Sequence, residues 1–394
     1  MDIEHNSRKK FYRFPFGAVT CGGEVRLRLA VSGAGIPSAV RLVYMEDGKG
    51  EVRKDMPYIF DVGDHCIYSV NVKMPEKAGL VWYYFELETE RGMVYYGNNS
   101  KQLGGIGEMC FNSPSNSYQI TVYNEDYKTP DWFKTGIAYQ IFVDRFCNGN
   151  ENGEFLGNRT DIIKRNWGEQ PFYKAEQFGG EYKANDFFGG NLKGVIKKLP
   201  YLKDLGISVI YLNPIFKAYS NHKYDTGDYE TIDPMFGDEE TFKELCSKAK
   251  EMGIRIILDG VFNHTGSNSR YFNKYGEYDS VGAYQSKESP YYTWFRFMDW
   301  PDVYESWWGM TTLPQIEEHS EECRKYLLSD KDAIVKRWIK NGASGWRLDV
   351  VDELPGFFVK ELRENVKKAD KDAVIIGEVW EDASNKSAYG EFLG

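Results

Sequence analysis

Hydrophobic and polar positions alternate along the first third of the chain. Residues 25–31 and 81–87 are rich in β-branched and aromatic residues, and turns containing Gly, Asp or Pro separate such runs. A period of two predicts strands with one buried face, and no helical period appears before about residue 122. Short strands at this spacing predict an antiparallel sandwich. Such a domain either binds polymer or mediates assembly, or it only covers hydrophobic surface.

The pattern changes after a predicted linker at residues 123–130. Five apolar runs then alternate with helical stretches, at residues 137–143, 208–212, 255–259, 345–350 and 373–377. Helices are predicted at residues 194–205, 239–252, 332–341 and 355–368. Nearly continuous apolar strands between helices predict a parallel sheet, either open and doubly wound or part of a (β/α)8 barrel.

Composition excludes several classes of protein. The formal net charge of -10 argues against nucleic-acid and anionic-membrane partners, because an acidic surface repels phosphate. No apolar run approaches the roughly 20 residues of a membrane span, and the N-terminus lacks the apolar core of a secretory signal. The 6 cysteines are scattered, which favours free thiols in a cytoplasmic protein.

Polar residues follow the predicted strands at their C-terminal ends, where parallel α/β folds form active sites. They are Asp144 and Arg145 after the first strand, residues 221–225 after the second, Asp259 at the third, Arg347 and Asp349 at the fourth, and Glu378 after the fifth. One such carboxylate alone would more often be a helix cap. Capping does not account well for five strands in succession.

Arg347 and Asp349 share one face of the predicted fourth strand. A guanidinium keeps a neighbouring buried carboxylate ionised, as a nucleophile or a metal ligand requires. Taken alone, Arg347 and Asp349 could equally form a structural salt bridge without a role in chemistry. His222, Tyr224 and His264 add a polar and aromatic lining that suits hydroxyl-rich rings, whereas a dense metal-ligand motif such as His-x-x-x-His is missing.

Three segments resemble signature regions of the α-amylase superfamily of glycoside hydrolases. They are Asp259-Gly-Val-Phe-Asn-His264, Gly345-Trp-Arg-Leu-Asp-Val350 and Gly377-Glu-Val-Trp380. Leu313-Pro-Gln-Ile-Glu317 stands at the place of a further region, although Ile316 and Glu317 depart from its pattern. Asn221-His-Lys-Tyr-Asp-Thr226 and the β-rich N-terminal part resemble the branch that holds cyclomaltodextrinase, neopullulanase and maltogenic amylase.

The resemblance implies a retaining hydrolase that cuts α-1,4 bonds, with α-1,6 bonds as an addition, in maltooligosaccharides or cyclomaltodextrins. Asp349 matches the nucleophile and Glu378 the general acid/base. The resemblance also implies that Arg347 orients Asp349, and that His264 and Tyr224 bind the sugar at the cleavage subsite. His222 and Asp225 would contact the substrate or support the site. Asp259 and Asn263 would fix the end of the third strand. Transglycosylation or glucoside isomerisation, and glucan binding without catalysis, stay open as alternatives.

The predicted fold is multi-domain. It consists of an immunoglobulin-like sandwich over residues 1–123, the first part of a (β/α)8 TIM barrel over 124–264, an inserted B domain over 265–318, and the barrel continued through strand five over 319–394. The family's third carboxylate, an Asp preceded by His at the seventh strand, has no counterpart here. We therefore expect a chain truncated within the barrel, and no hydrolysis by residues 1–394 alone.

The resemblance also raises a structural calcium ion near the first barrel strand. Its oxygen ligands would come from Asn148, Asn150, Glu154 and Asn191, and oxygen ligands at alternating positions suit Ca²⁺. An Asn- and Gly-rich turn without metal is an equal alternative. No cofactor is required by the implied chemistry. α-Glucan oligosaccharides are the expected partners, and relatives in this branch make a homodimer plausible.

Overall fold

The computed structural model describes residues 1–112, 114, 116–180, 182–380 and 383, with the backbone of residues 387–388 and 391–392. Two compact units lie within it, Met1–Lys128 and Thr129–Val379. The division falls inside the linker predicted at residues 123–130. All six cysteines are free thiols. In the described part of the chain, no helix combines the length and the apolarity that crossing a membrane requires.

Two β-sheets form the first unit. The five-stranded sheet contains Asp2–Glu4, Arg13–Phe14, Glu24–Ser32, Tyr58–Val62 and His65–Lys73. The seven-stranded sheet contains Val19–Thr20, Ala39–Glu46, Val52–Asp55, Gly79–Thr89, Gly92–Gly97, Glu108–Cys110 and Tyr118–Tyr123. Both sheets are antiparallel apart from the parallel pairing of Tyr118–Tyr123 with Val19–Thr20.

Both sheets contribute side chains to one hydrophobic core. Val25, Leu27 and Leu29 of one sheet are buried at alternate positions, and Leu42 and Phe85 of the other sheet belong to the same cluster. The predicted period of two is thereby confirmed in these strands, because each strand turns one face to the core. Two sheets around one core are compatible with the predicted sandwich. Its immunoglobulin-like character stays a prediction.

A parallel five-stranded sheet organises the second unit. Its strands, in the order in which they lie side by side, are Ala138–Ile141, Val209–Leu212, Arg255–Gly260, Gly345–Leu348 and Val374–Gly377. All five predicted strands are confirmed. Because the order in the sheet is the order in the sequence, the sheet has no switch point of the doubly wound kind. It has the strand order of a TIM barrel.

The remaining elements of the described residues are helices and short strand pairs. The longer helices are Leu192–Asp204, Glu239–Glu251, Ile334–Lys340 and Gly356–Ala369, and the shorter ones are Asp131–Lys134 and Glu321–Arg324. Single turns of 3₁₀-helix or π-helix are Val143–Arg145, Ala175–Phe178, Tyr292–Trp294, Trp307–Gly309, Lys325–Ser329 and Val351–Glu353. Paired short strands are Ile163–Lys164 with Asp186–Phe187, Phe216–Ala218 with Thr226–Ile232, Phe297–Asp299 with Val303–Tyr304, and Ser387–Ala388 with Glu391–Phe392.

The four predicted helices are confirmed, and side-chain caps explain where two of them begin. Asn191 accepts a hydrogen bond from the backbone N–H of Gly194, and Asp238 accepts one from Thr241. Each cap satisfies an N–H group that has no partner within its helix. The core of this unit lies between the helices and the sheet. Residues 265–318 are mostly irregular, and their assignment as an inserted domain stays a prediction.

Candidate active site

The fourth strand ends one residue before Asp349, and the chain then turns sharply. Asp349 N donates to the carbonyl of Gly260 at 3.1 Å, which ties it to the third strand. Val350 has φ 43° and ψ 54°, a left-handed conformation that β-branched residues rarely adopt. The predicted strand over residues 345–350 is therefore two residues too long. The turn directs Val350 N to Glu378 Oε2, at 3.2 Å.

One guanidinium contacts three carboxylates at these strand ends. Arg347 Nη1 donates to Asp349 Oδ1 at 2.8 Å and to Asp259 Oδ1 at 3.0 Å. Arg347 Nη2 forms an ion pair with Glu378. Asp259 and Asp349 are buried. The three strand-end carboxylates thus meet, as predicted, but one positive charge is shared among them.

Two of these carboxyl groups have pKa values above their ordinary range. Burial, which the charge of Arg347 opposes, raises the pKa of Asp259 to about 6. Burial and then the negative charge of Asp259 raise the pKa of Asp349 to about 7. Arg347 lowers the pKa of Asp349, as the prediction requires, but burial and the charge of Asp259 outweigh this effect, so Asp349 is not held fully ionised near neutral pH. At neutral pH such a cluster retains a proton for part of the time.

Two tyrosine hydroxyls complete the surroundings of Asp259. Tyr224 donates to Asp259 Oδ2 at 3.0 Å, and Tyr211 donates to the same oxygen. Tyr224, predicted to bind the sugar, is thus held at the cluster by its hydroxyl. Tyr211 was missed by sequence reasoning. Its signal was a hydroxyl group within an otherwise aliphatic strand, Val209–Leu212.

His222 and Asp225 shape the loop that carries Tyr224. The Asp225 carboxylate accepts hydrogen bonds from the backbone N–H of Ser220 at 3.1 Å and from its hydroxyl. His222 Nδ1 accepts the backbone N–H of Tyr224 at 3.2 Å. Burial lowers the pKa of His222. The structure therefore shows both residues supporting this loop, and substrate contact by either one stays a prediction.

A buried ion pair anchors the same loop, and sequence reasoning missed it. Lys223 has 0% of its surface exposed. Its Nζ lies 2.6 Å from Asp233 Oδ2 and donates to the Ala218 carbonyl at 3.0 Å. Asp233 also accepts the backbone N–H of Met235 at 2.9 Å. The ion pair is balanced, because it contains one cation and one anion and additional hydrogen bonds. Its cation, Lys223, stands in the sequence between the site residues His222 and Tyr224.

His264 lies beside Tyr224, as the predicted role requires. Its Nε2 donates to the Tyr224 carbonyl at 3.2 Å, and burial lowers the pKa of its imidazole to about 4. The ring is therefore neutral near pH 7. Among the described residues its Nδ1 has no partner, and neither side-chain atom of buried Asn263 has one. Asn263 fixes the neighbouring segment through its backbone carbonyl, which accepts Ile316 N at 3.0 Å.

The polar residues after the first strand form a separate network. Asp144 accepts the backbone N–H groups of Phe188 at 3.0 Å and Gly189 at 3.0 Å. Arg145 Nε donates to Asp144 at 2.7 Å and its Nη2 lies 3.3 Å from Asp186. None of these contacts reaches Arg347. The structure gives Asp144 and Arg145 a role in fastening the long segment that follows the first strand.

Three of the four predicted calcium ligands lie in the loop of residues 148–154, and the fourth, Asn191, is hydrogen-bonded to that loop from the start of a helix. Asn191 Oδ1 accepts the N–H groups of Gly194 at 2.9 Å and Gly149 at 3.1 Å, which fixes the orientation of its amide. Its Nδ2 then donates to Asn148 Oδ1 at 3.2 Å. An N–H group thus points at an oxygen that would have to face a cation.

The other amides of this loop are used in the same way. Asn148 Nδ2 donates to the carbonyls of Gly153 at 3.0 Å and Glu154 at 3.1 Å, and Asn150 Nδ2 donates to Glu154 O at 2.7 Å. Across the described residues, no three His, Cys, Asp or Glu side chains are grouped to hold a metal ion. As folded, these residues form a hydrogen-bonded turn, and a calcium ion held by them stays a prediction.

The fold and the Arg347 cluster together define a class of protein. A sheet with TIM-barrel order gathers three carboxyl groups, two of them with raised pKa values, around an arginine at the carboxyl ends of its strands. Pairs of carboxyl groups in unequal environments are the apparatus of glycosidic-bond cleavage. The comparison with known proteins agrees with this class, because the alpha amylase catalytic-domain family matches residues 140–391. The chain belongs to the α-amylase family of glycoside hydrolases.

Individual relatives are similar to most of this chain. An amylopullulanase of Thermoanaerobacterium saccharolyticum is 39% identical over 97% of the chain, which spans 32% of that protein. A cyclomaltodextrinase of Thermoanaerobacter pseudethanolicus is 41% identical over 65% of the chain, which spans 41% of that protein. A solved cyclomaltodextrinase structure matches 97% of this chain and 61% of its own, with a TM-score of 0.58 at 27% identity. The chain thus spans less than half the length of these two curated relatives.

Proposed function

We propose that the enzyme containing this chain is a retaining α-glucan hydrolase. Its substrates are maltooligosaccharides or cyclomaltodextrins, cut at α-1,4 bonds and additionally at α-1,6 bonds. The observation that carries the proposal is the contact of one guanidinium, that of Arg347, with both Asp349 and Glu378. Relatives named amylopullulanase and cyclomaltodextrinase support the class of substrate.

The proposed reaction has two displacement steps. Asp349 attacks the anomeric carbon, the bond to the leaving oxygen breaks, and Glu378 gives that oxygen a proton. Water then attacks the same carbon, Glu378 takes a proton from the water, and Asp349 leaves with its electron pair. Two inversions return the original α-configuration. Arg347 orients both carboxyl groups throughout.

The assignment of acid and nucleophile rests on the resemblance and on the contact of both carboxyl groups with Arg347. With Asp259 and Asp349 raised in pKa, the cluster carries a proton near neutral pH. The first step requires an ionised Asp349, so the cluster's proton must leave Asp349 before the attack. Substrate that excludes water from the cluster strengthens the interaction of Arg347 with Asp349, since charges interact more strongly in a less polar medium.

The activity of this chain by itself is a separate matter. Among the described strands, Ala138–Ile141 and Val374–Gly377 each pair on one side only. Closing a barrel requires pairing on both sides. We therefore retain the prediction that residues 1–394 alone hydrolyse no maltooligosaccharide. Turnover of a chromogenic maltoside by the purified chain, abolished by Asp349→Asn, would show this prediction to be wrong.

The decisive assay uses the enzyme that contains this chain. We expect β-cyclodextrin and maltoheptaose to be cleaved to products that carry the α-anomer when first released, as read by proton NMR. Glu378→Gln should abolish cleavage, whereas Tyr201→Ala, on an outer helix surface, should not. Release of the β-anomer would contradict the retaining mechanism. Transfer products instead of free sugars would identify a transglycosylase, and saturable binding without turnover a binding protein.

Two further predictions accompany this proposal. A cytoplasmic location and a homodimer both stay predictions from the sequence. Fractionation of the source cells and sedimentation of the purified enzyme would test them.

A further inference from the structure

A cavity of about 470 Å³ lies apart from the Arg347 cluster. Its walls come from residues 157–161, from the paired strands Phe216–Ala218 and Thr226–Ile232 with the residues next to them, and from residues 268–278. No residue of its lining is hydrogen-bonded or ion-paired to Arg347. Small-molecule sites in proteins have volumes of roughly 300–1,000 Å³, so the space is large enough for a ligand. We call it the hairpin cavity.

Two tyrosine hydroxyls in the lining of the hairpin cavity are unused. Within the part of the chain that the structure describes, neither the hydroxyl of Tyr219 nor that of Tyr278 has a hydrogen-bond partner. Gly227 leaves the space that the second hydroxyl occupies, because a Cβ at this position would lie 2.9 Å from it. Tyrosine hydroxyls that are withdrawn from bulk water usually have a partner. These two hydroxyls are therefore available to a ligand.

Further donors and acceptors line the same space. Lys217 Nζ lies 4.2 Å from the centroid of the Tyr278 ring, and among the described residues it has no carboxylate partner. A contact with a ring face leaves the N–H groups of an ammonium available as donors. Asn268 Nδ2 donates to Glu277 Oε2 at 3.3 Å, which leaves the amide oxygen and the second carboxylate oxygen as acceptors. The hairpin cavity thus offers hydrogen-bonding groups of both kinds.

The charges of the lining balance one another. Arg159 Nε donates to Asp161 at 2.9 Å, and Asp233 has the lysine partner described above. The remaining charges are one cation, Lys217, and one anion, Glu277. A lining without excess charge does not select a phosphate or another ion. Hydrogen-bonding groups of both kinds beside flat tyrosine rings suit a neutral ring that carries several hydroxyl groups.

We propose that the hairpin cavity is a second sugar-binding site, which holds glucose units of a maltooligosaccharide without cleaving them. That the sugar is an α-glucan rests on the proposed function, whereas the fit to a neutral polyhydroxylated ring rests on the cavity itself. Asp161 and Asp233 are engaged by cations, so Glu277 remains as a single carboxyl group. One carboxyl group does not supply the acid and the nucleophile that cleavage requires. The site therefore binds and does not cleave.

The test measures maltose binding to the uncleaving Asp349→Asn form of the enzyme that contains this chain, by isothermal titration calorimetry. We expect two classes of site. Tyr278→Ala should weaken one class about 10-fold, because it removes a ring face and a hydroxyl group, and should leave the other class unchanged. Tyr275→Ala is the matched control, since it removes a ring that is 62% exposed from the same segment, outside the lining. It should change neither class.

A second variant decides the matter if Tyr278→Ala fails to fold. Lys217→Met keeps most of the side-chain volume and removes the ammonium donors. We expect it to weaken the same class of site about 5-fold, while the melting temperature changes little. If maltose binds in one class only, or if the affected class binds equally well in Lys217→Met and in Tyr278→Ala as without them, the hairpin cavity is not a sugar site.

The failures of the two proposals are distinguishable through His264, which lies at the proposed cleavage subsite. His264→Ala should weaken only the class of site that Tyr278→Ala leaves unchanged. If His264→Ala changes neither class, the proposed function fails at the Arg347 cluster. If His264→Ala weakens one class and the two cavity variants weaken none, the proposed function stands and the inference about the hairpin cavity is wrong.

Discussion

Two buried charge clusters lie within the same unit, and they differ in balance. Lys223 meets Asp233 one to one, and backbone groups satisfy the remaining oxygens. Arg347 instead faces three carboxylates, and two of them have raised pKa values. The first arrangement minimises the cost of burying charge, whereas the second leaves excess negative charge in a poorly solvated place.

This difference separates a structural pair from a catalytic one. A balanced pair holds the loop of residues 220–225 in one conformation. An unbalanced cluster costs stability, and such a cost persists where function requires a carboxyl group that both binds and releases a proton. The comparison therefore predicts opposite consequences for removing charge at the two places.

The largest expected effect is on activity at the unbalanced cluster. Asp349→Asn removes the proposed nucleophile, and turnover of a chromogenic maltoside by the enzyme containing this chain should fall by about 10⁴-fold. Asp233→Asn should retain most of the turnover per folded molecule, measured at low temperature. Comparable losses of turnover in both variants would show that the two clusters do not differ in catalytic importance.

The balanced pair should dominate stability. Lys223→Ala leaves the Asp233 carboxylate buried without its partner, and the free energy of unfolding should fall by about 3–5 kcal/mol. Denaturant titration measures it. The double variant Lys223→Met with Asp233→Leu removes both charges and should recover much of the loss. A loss in the double variant as large as in Lys223→Ala would mean that the pair contributes packing rather than charge balance.

The loop of residues 148–154 allows a third contrast, between amide and carboxylate. We expect EDTA to shift the melting temperature of the native chain by less than about 1 °C. Asn191→Asp replaces a donor by an oxygen facing Asn148 Oδ1, so it should cost about 1–2 kcal/mol without metal and be rescued by millimolar Ca²⁺. Asn152→Asp, exposed in the same loop, is the matched control. A native chain that melts earlier in EDTA and recovers with Ca²⁺ would support the calcium prediction.

The smallest effect concerns stability against pH. The folded-state pKa of Asp349 is raised, so its contribution to stability is fully present below about pH 4 and is lost as pH rises to about 7. The Asp349→Asn variant has no carboxyl group to ionise at this position, so it does not lose this stability as pH rises. Its stability relative to the native chain should therefore increase between pH 4 and pH 7, by roughly 1.4 kcal/mol for each pKa unit by which the folded-state value exceeds the unfolded one. A difference that stays constant across this range would contradict the unbalanced cluster.

Much of the fold and the central residues were predictable from the sequence. Strands that are buried on both faces read as continuous apolar runs, which is why all five parallel strands were found. Strand ends in a parallel sheet converge, so Arg347, Asp349 and Glu378 could be grouped before any coordinates existed. The left-handed turn at Val350 was not predictable, because only the contact with Glu378 explains it.

Contacts that depend on the path of loops escaped prediction. Lys223 reads as a surface residue until Asp233, ten positions along, is seen to lie against it. Glu353 accepts hydrogen bonds from Trp307 and Trp308 across intervening helices and a strand, and no periodicity links these residues. For Asn191, the sequence does not tell which amide atom faces the loop. The capping bond from Gly194 decides that orientation.

In the proposed mechanism Asp349 forms a covalent bond to the sugar. The direct measurement is to treat the Glu378→Gln form of the enzyme containing this chain with α-maltosyl fluoride and to map the labelled peptide by mass spectrometry. Fluoride leaves without a proton, while the second step lacks its base, so the glycosyl–enzyme should accumulate. We expect one maltosyl group on Asp349. A label on Asp259 or Glu353, or hydrolysis of the fluoride with inverted configuration and no label, would contradict it.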